Sequence, residues 1–218
     1  MEKIGERLLV CGSTDAENIL LMPMDLREMQ DAPLYEQILS DQAKIPFSLL
    51  LYRIDDWNME LSPWPAPPVY GKEPFSGGAE QTLETIRKEA DPFFQNRNVL
   101  IGGYSLAGFF ALWAAYQTDL FTGVAAVSPS LWYPGWIPYA EANPIRAKAV
   151  YLSLGEREEK TKHPVLSAVG DGIRRQEELL QKSGTLTTLE WNPGGHFQDP
   201  VQRTVKGFLW LLNTLSEK

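Results

Sequence analysis

The stretch Asn98-Val99-Leu100-Ile101-Gly102-Gly103-Tyr104-Ser105-Leu106-Ala107-Gly108 decides the fold. An apolar run, a glycine pair and a serine lead through small residues into a helix-like segment, Ser105 to Thr118, so the stretch reads as strand, sharp turn and helix. In a G-x-S-x-G elbow the serine stands at the tip of such a turn in a strained conformation. Its neighbours must be small for strand and helix to pass closely. Gly103, Ala107 and Gly108 supply that smallness, with Ala107 standing where the strict pentapeptide has glycine. The turn lifts the Ser105 hydroxyl out of the sheet. It also aims the next amide, that of Leu106, at a helix N-terminus where an oxyanion could be held.

Strands and helices alternate outward from this point. Before it, Arg7 to Cys11 and Asn18 to Met22 read as strands, Leu34 to Ser40 as a helix, and Phe47 to Ile54 as a nearly continuous apolar run of the kind buried on both faces of a parallel sheet. A helix from Ala79 to Ala90, ending at Asp91-Pro92, delivers the chain to the elbow strand. After it come strands at Gly123–Ser128, Lys148–Leu154 and Leu186–Trp191, a helix from Val165 to Lys182, and an amphipathic helix from about Pro200 to Leu215. The alternation predicts an α/β fold, doubly wound on a mostly parallel sheet with helices on both faces. No repeat, linker or low-complexity tract interrupts it, and residues 1–218 read as one domain.

Two loops stand out. From about 55 to 78 the periodicity disappears, and Pro63, Pro65, Pro67, Pro68 and Pro74 argue against a helix or a central strand. Trp57, Trp64, Tyr70 and Phe75 are costly to leave in water, so this loop is expected to pack down over the active site. A second aromatic loop, about 129–138, carries Trp132, Tyr133 and Trp136. Both follow strand C-termini, where ligands bind in open α/β sheets. Trp57, Trp64 and Trp132 are the candidate substrate-binding residues.

Composition narrows the partners. With 44% hydrophobic and 22% charged residues the chain has an ordinary globular make-up. A formal net charge of −8 disfavours nucleic acid and anionic membranes, both of which reward basic patches. The charged N-terminus is followed only by Leu8-Leu9-Val10-Cys11, too short for a signal-peptide core, and no apolar run reaches bilayer length. Cys11 is the single cysteine, so no internal disulfide forms, and the expected compartment is the cytoplasm. Its apolar, strand-like surroundings mark it as a small buried hydrophobe rather than a nucleophile.

Gly103-Tyr104-Ser105-Leu106-Ala107-Gly108, together with Gly194-Gly195-His196-Phe197, resembles the α/β-hydrolase superfamily, specifically its putative-esterase branch, which is similar to feruloyl and siderophore esterases and S-formylglutathione hydrolases. The likeness spans most of the chain in order of elements, and the two motifs carry its specificity. It implies a nucleophile, acid and base in the chain order Ser, acid, His. Ser105 is then the nucleophile. His196, in a glycine-containing loop after the last strand, is the base, whereas His163 falls where that order does not predict one. The acid belongs in the loop after Leu154, which offers Glu156, Glu158 and Glu159. Similar esterases often place it third after the glycine that ends the strand, which selects Glu158, with Glu156 as runner-up and Glu159 as a solvated bystander. The oxyanion hole needs a second amide from the loop after Met22, and because Pro23 has no N–H it falls to Met24 or Asp25.

The implied function is cleavage of a small-molecule carboxylic ester through an acyl-enzyme, with no metal or organic cofactor. An acyltransferase or thioesterase would use the same residues, and a non-catalytic module would use the tryptophans as a binding platform.

Overall fold

A run such as Phe47–Arg53 is stable only where both faces of a strand are covered. In the computed structural model, which describes residues 2–69 and 71–216, it lies well inside an eight-stranded sheet. Tyr70, placed by the sequence in the first aromatic loop, is outside the described residues.

In chain order the strands are β1 (Glu2–Lys3), β2 (Leu8–Gly12), β3 (Asn18–Met24), β4 (Phe47–Arg53), β5 (Pro65–Ala66), β6 (Phe75–Ser76), β7 (Asn98–Tyr104), β8 (Phe121–Val127), β9 (Ala149–Gly155) and β10 (Leu186–Asn192). The helices are α1 (Ala32–Gln42), α2 (Trp57–Glu60), α3 (Ala79–Phe94), α4 (Leu106–Gln117), α5 (Trp136–Ala142), α6 (Val169–Lys182) and α7 (Pro200–Ser216). The main sheet has the order β1-β2-β4-β3-β7-β8-β9-β10, and β5 pairs with β6 in a separate ribbon. From β4 to β10 all neighbours in that sheet are parallel, and only the β1–β2 and β2–β4 pairings are antiparallel. This is the doubly wound, mostly parallel sheet that the sequence predicts.

Successive side chains of a strand point to opposite faces, and the core divides accordingly. Ile19 and Leu21 join Leu50, Ile101 and Val124 on the face covered by α3, α4 and α6. Leu20 and Met22 join Leu49, Leu51 and Leu100 on the face covered by α1 and α7. Cys11 belongs to this second face, where burial first and Glu36 second push its thiol up to about 11. A thiol so protonated is a packing group, not a nucleophile.

The winding reverses between β3 and β7. From β3 the chain moves outward to β4, and from β7 it moves the other way to β8, β9 and β10. Such a switch point opens a crevice beyond the strand C-termini. Pro23 is tolerated beside it because the β3–β7 ladder has ended at Leu21↔Ile101. Among the described residues no helix is long and apolar enough to cross a membrane.

Three segments differ from expectation. The first aromatic loop holds one helical turn, α2, since the Asp56 side chain accepts the Met59 N–H at 2.9 Å and so caps it ahead of the prolines. The helix α3 runs through Pro92 to Phe94. Proline in a last turn removes a single hydrogen bond, and burial of Phe94 in the core offsets it. The second aromatic loop turns into α5 at Trp136, whose indole is buried with its N–H donated to Gln176 Oε1 at 3.0 Å.

Candidate active site

The turn between β7 and α4 holds Ser105 at φ 58°, ψ −121°, a strained conformation for a residue with a side chain. Neighbouring backbone fixes it there. Its N–H donates to Val127 O at 2.9 Å, and its carbonyl accepts from Phe109 N at 3.0 Å and Ser130 N at 3.2 Å. A Cβ on Gly103 would stand 2.7 Å from the Cβ of Ala107, so the absence of a side chain at 103 makes room for the alanine methyl. That resolves the departure from the strict pentapeptide.

His196 lies in the loop between β10 and α7. Its Nε2 is 3.0 Å from Ser105 Oγ, and its Nδ1 is 2.6 Å from Glu158 Oε2. A carboxylate only accepts, so Nδ1 carries the proton and Nε2 is left to accept from the serine hydroxyl. The loop itself is pinned. Tyr104 Oη donates to the His196 carbonyl at 2.5 Å, and Arg203, from the first turns of α7, donates to Tyr104 Oη at 3.1 Å and to Pro193 O at 2.7 Å.

Glu158 is 8% exposed. Its Oε1 accepts the Gly155 N–H at 2.7 Å and the Ser128 hydroxyl at 2.7 Å, and Arg203 Nη1 approaches to 3.4 Å. Burial alone would raise its pKa. Hydrogen bonding to His196, the imidazole's charge, and the bonds from Ser128 and Gly155 outweigh it and hold the carboxyl below the ordinary glutamate value of 4.5. The group is therefore a carboxylate at neutral pH. Glu156 is exposed, and Glu159 is paired with Arg174 at 2.8 Å. His163 sits elsewhere, its Nδ1 accepting the Leu166 N–H at 3.4 Å.

Sequence reasoning missed Tyr104, Ser128 and Arg203. Arg203 had a legible signal, since it falls four residues before Gly207 and eight before Leu211 on the apolar stripe of α7, a place for a charge only if it has a partner. The side chain is 3% exposed and faces a buried carboxylate. Arg203→Met is expected to lower stability by about 3 kcal/mol, because it removes the guanidinium facing the buried Glu158 carboxylate together with the donors to Tyr104 Oη and Pro193 O. The depressed Glu158 pKa fixes the sign of the pH dependence. Its contribution is present above the ordinary glutamate value and is lost as pH falls through the folded-state value. Urea denaturation of both proteins across that range should show the gap closing in acid.

A cavity of about 230 Å³ opens at Ser105 and His196, with Trp132, Leu166, Val169 and Phe197 supplying apolar wall. Trp132, a candidate substrate-binding residue from the sequence, is part of this wall. Trp57 and Trp64 do not line the cavity and pack against the core instead. Trp64 Nε1 donates to Pro134 O at 2.8 Å, Tyr133 Oη donates to Trp64 O at 2.6 Å, and the Trp64 and Tyr139 rings lie 5.3 Å apart. The first aromatic loop is thereby fastened to the second, and Phe75 backs Trp132 at 5.9 Å. Trp64→Ala is expected to cost about 2–3 kcal/mol without reordering substrates. Trp132→Ala should reorder an acyl-ester panel at a nearly unchanged melting temperature.

The side chains of Leu106 and Met24 are buried in the core on opposite faces of the sheet, so Leu106 can offer the site only its amide, whereas Met24 ends β3 in register with Arg53, its carbonyl accepting the Ile54 N–H at 2.8 Å and its own N–H turned to the β4 ladder. The Asp25 N–H is engaged by Glu28 Oε2 at 3.1 Å.

The family model described as "Putative esterase" matches residues 34–199. No curated protein matches the sequence. Among solved structures the chain is similar to the siderophore hydrolase EstA from Aspergillus nidulans, with 19% identity over 93% of this chain and 84% of that one and a TM-score of 0.65. It is also similar to the enterobactin esterase of Shigella flexneri crystallised with enterobactin, at 18% identity, 95% and 54% coverage and a TM-score of 0.65. A ferulic acid esterase aligns at 11% identity, 92% and 85% coverage and a TM-score of 0.57. The chain spans little more than half of the Shigella enzyme, and at these identities the likeness is one of fold.

Proposed function

The chain belongs to the putative-esterase family of α/β hydrolases, and from that premise we propose that it is a serine esterase in which Ser105, His196 and Glu158 work as one relay. The observation that carries the reading is the unbroken hydrogen-bonded line from Ser105 Oγ through the imidazole to Glu158, with bonds of 3.0 and 2.6 Å. A serine hydroxyl is a poor nucleophile until a base takes its proton. In this reading Ser105 Oγ attacks the ester carbonyl as its proton passes to His196 Nε2. Glu158 holds the tautomer and stabilises the imidazolium. The Leu106 amide, at the N-terminus of α4, holds the oxyanion. The C–O bond to the alcohol then breaks with the proton returned to the leaving oxygen, and water activated by His196 releases the acid by the same route in reverse. The substrate is a small-molecule ester, taken from a cytoplasmic pool.

The acid assignment is tested with three Glu→Gln variants and matched thermal melts. Glu158→Gln is expected to lower kcat by about 10⁴-fold, since the amide favours the wrong imidazole tautomer and cannot stabilise the imidazolium. Glu156→Gln and Glu159→Gln should stay within about twofold of the parent, as surface substitutions do. A large loss confined to either of those two would move the role there.

A further inference from the structure

The cavity wall beside Ser105 contains one permanent cation, Arg157, among its lining residues. Its main-chain N–H donates to Gly194 O at 3.0 Å, which ties the loop after β9 to the His196 loop and stations Arg157 between them. The side chain is exposed, and among the described residues its guanidinium has no ion pair.

That is unexpected in a chain of net charge −8 whose Arg157 is flanked by Glu156, Glu158 and Glu159. The flanking charges are largely spent elsewhere. Glu158 is turned inward to His196 and Arg203, and Glu159 is paired with Arg174. Facing solvent on this loop are Glu156 against Arg157, Lys160 and Lys162, so the exposed part of the loop is net positive on a negative molecule, and Arg157 is its member in the cavity wall. A guanidinium offers a fork of donors matched to a carboxylate, and in a partly desolvated cleft that pairing is strong. The wall also carries Trp132, Leu166, Val169 and the 89% exposed Phe197 as its apolar part, with Ser128, Thr161 and the inward-turned Glu158 completing it. A neutral ester would leave the Arg157 donors to water.

We propose that Arg157 selects esters that carry a carboxylate on an apolar or aromatic body, with the anion held by its guanidinium while the ester carbonyl lies at Ser105. The proposal rests on the serine-esterase reading of this site and names its substrate class. The anion can belong to the acyl part or to the alcohol part, since both are attached at the ester carbonyl that Ser105 attacks.

Two matched pairs of probes separate those sources. On the acyl side the 4-nitrophenyl monoester of adipic acid is compared with its neutral methyl diester counterpart. On the alcohol side 4-acetoxybenzoate is compared with its methyl ester. The parent is expected to favour the anionic member of at least one pair by about tenfold in kcat/KM, and the favoured pair identifies the side. Arg157→Gln should bring that ratio to near one, Arg157→Glu should invert it, and Arg157→Lys should retain part of it. Arg87→Gln, which loses a pairing with Glu84 on α3, should keep the parent ratio. Added salt should erode the parent's preference and leave that of Arg157→Gln unmoved. A fluorophosphonate-reactive parent with equal rates within both pairs, or an Arg157→Gln protein that keeps the preference, overturns the proposal while the esterase reading stands. A parent that neither labels nor hydrolyses any of the four probes overturns the esterase reading itself.

Discussion

Ser105→Ala is expected to abolish ester turnover, by about 10⁶-fold in kcat, with the melting temperature held within about 2 °C of the parent. The side chain's hydrogen bond is to His196 Nε2, and the hydroxyl opens onto the cavity rather than filling core. Alanine keeps the Cβ, so the cost of φ 58° is the same in both proteins and the turn is still fastened by Val127 O, Phe109 N and Ser130 N. Chemistry and folding are thus separable at this position. An alanine variant that hydrolyses short acyl esters at the parental rate would remove Ser105 from the mechanism.

His196→Ala should be nearly as damaging, at about 10⁵- to 10⁶-fold, while His163→Ala stays within about twofold. The two imidazoles differ in what they face. One bridges a hydroxyl and a buried carboxylate, and the other accepts a main-chain N–H in its own turn. The Glu158 carboxyl is held below the ordinary glutamate value of 4.5, so its stabilising contribution is present above that value and persists until pH drops through the lower folded-state value. Melts recorded across the acid range should show that contribution lost only below the ordinary glutamate value, and its loss at a milder pH would contradict the assignment.

How much of this could be read from the chain depends on the range of the interactions involved. The β7–α4 elbow was legible because its constraints are local. Small residues at 103, 107 and 108 and an apolar strand before them leave few other conformations. The sheet followed from apolar runs whose two faces both need cover, as in β4. Chain order singled out Ser105 and His196 and narrowed the acid to one loop, the spacing in similar esterases selected Glu158, and the structure sets His196 within hydrogen-bonding distance of both Ser105 and Glu158. The groups around them were illegible for the opposite reason. Ser128 reaches Glu158 from the end of β8, and Arg203 reaches both Glu158 and the His196 loop from α7, contacts that exist only once the sheet has assembled. The tryptophans show a further limit. Sequence says that a large ring will be buried, but not whether a ligand or another loop covers it, and Trp64 is covered by the loop at 133–139.

The most direct test of the central claim is covalent. Parent protein is treated with a fluorophosphonate, which reacts only with a hydroxyl activated by a working base, and the intact mass and the modified peptide are read by mass spectrometry. One adduct per chain on Ser105, lost in Ser105→Ala and strongly slowed in His196→Ala, is the predicted result. An unlabelled parent that is folded by its melting curve, or a stoichiometric adduct on a different residue, would contradict it.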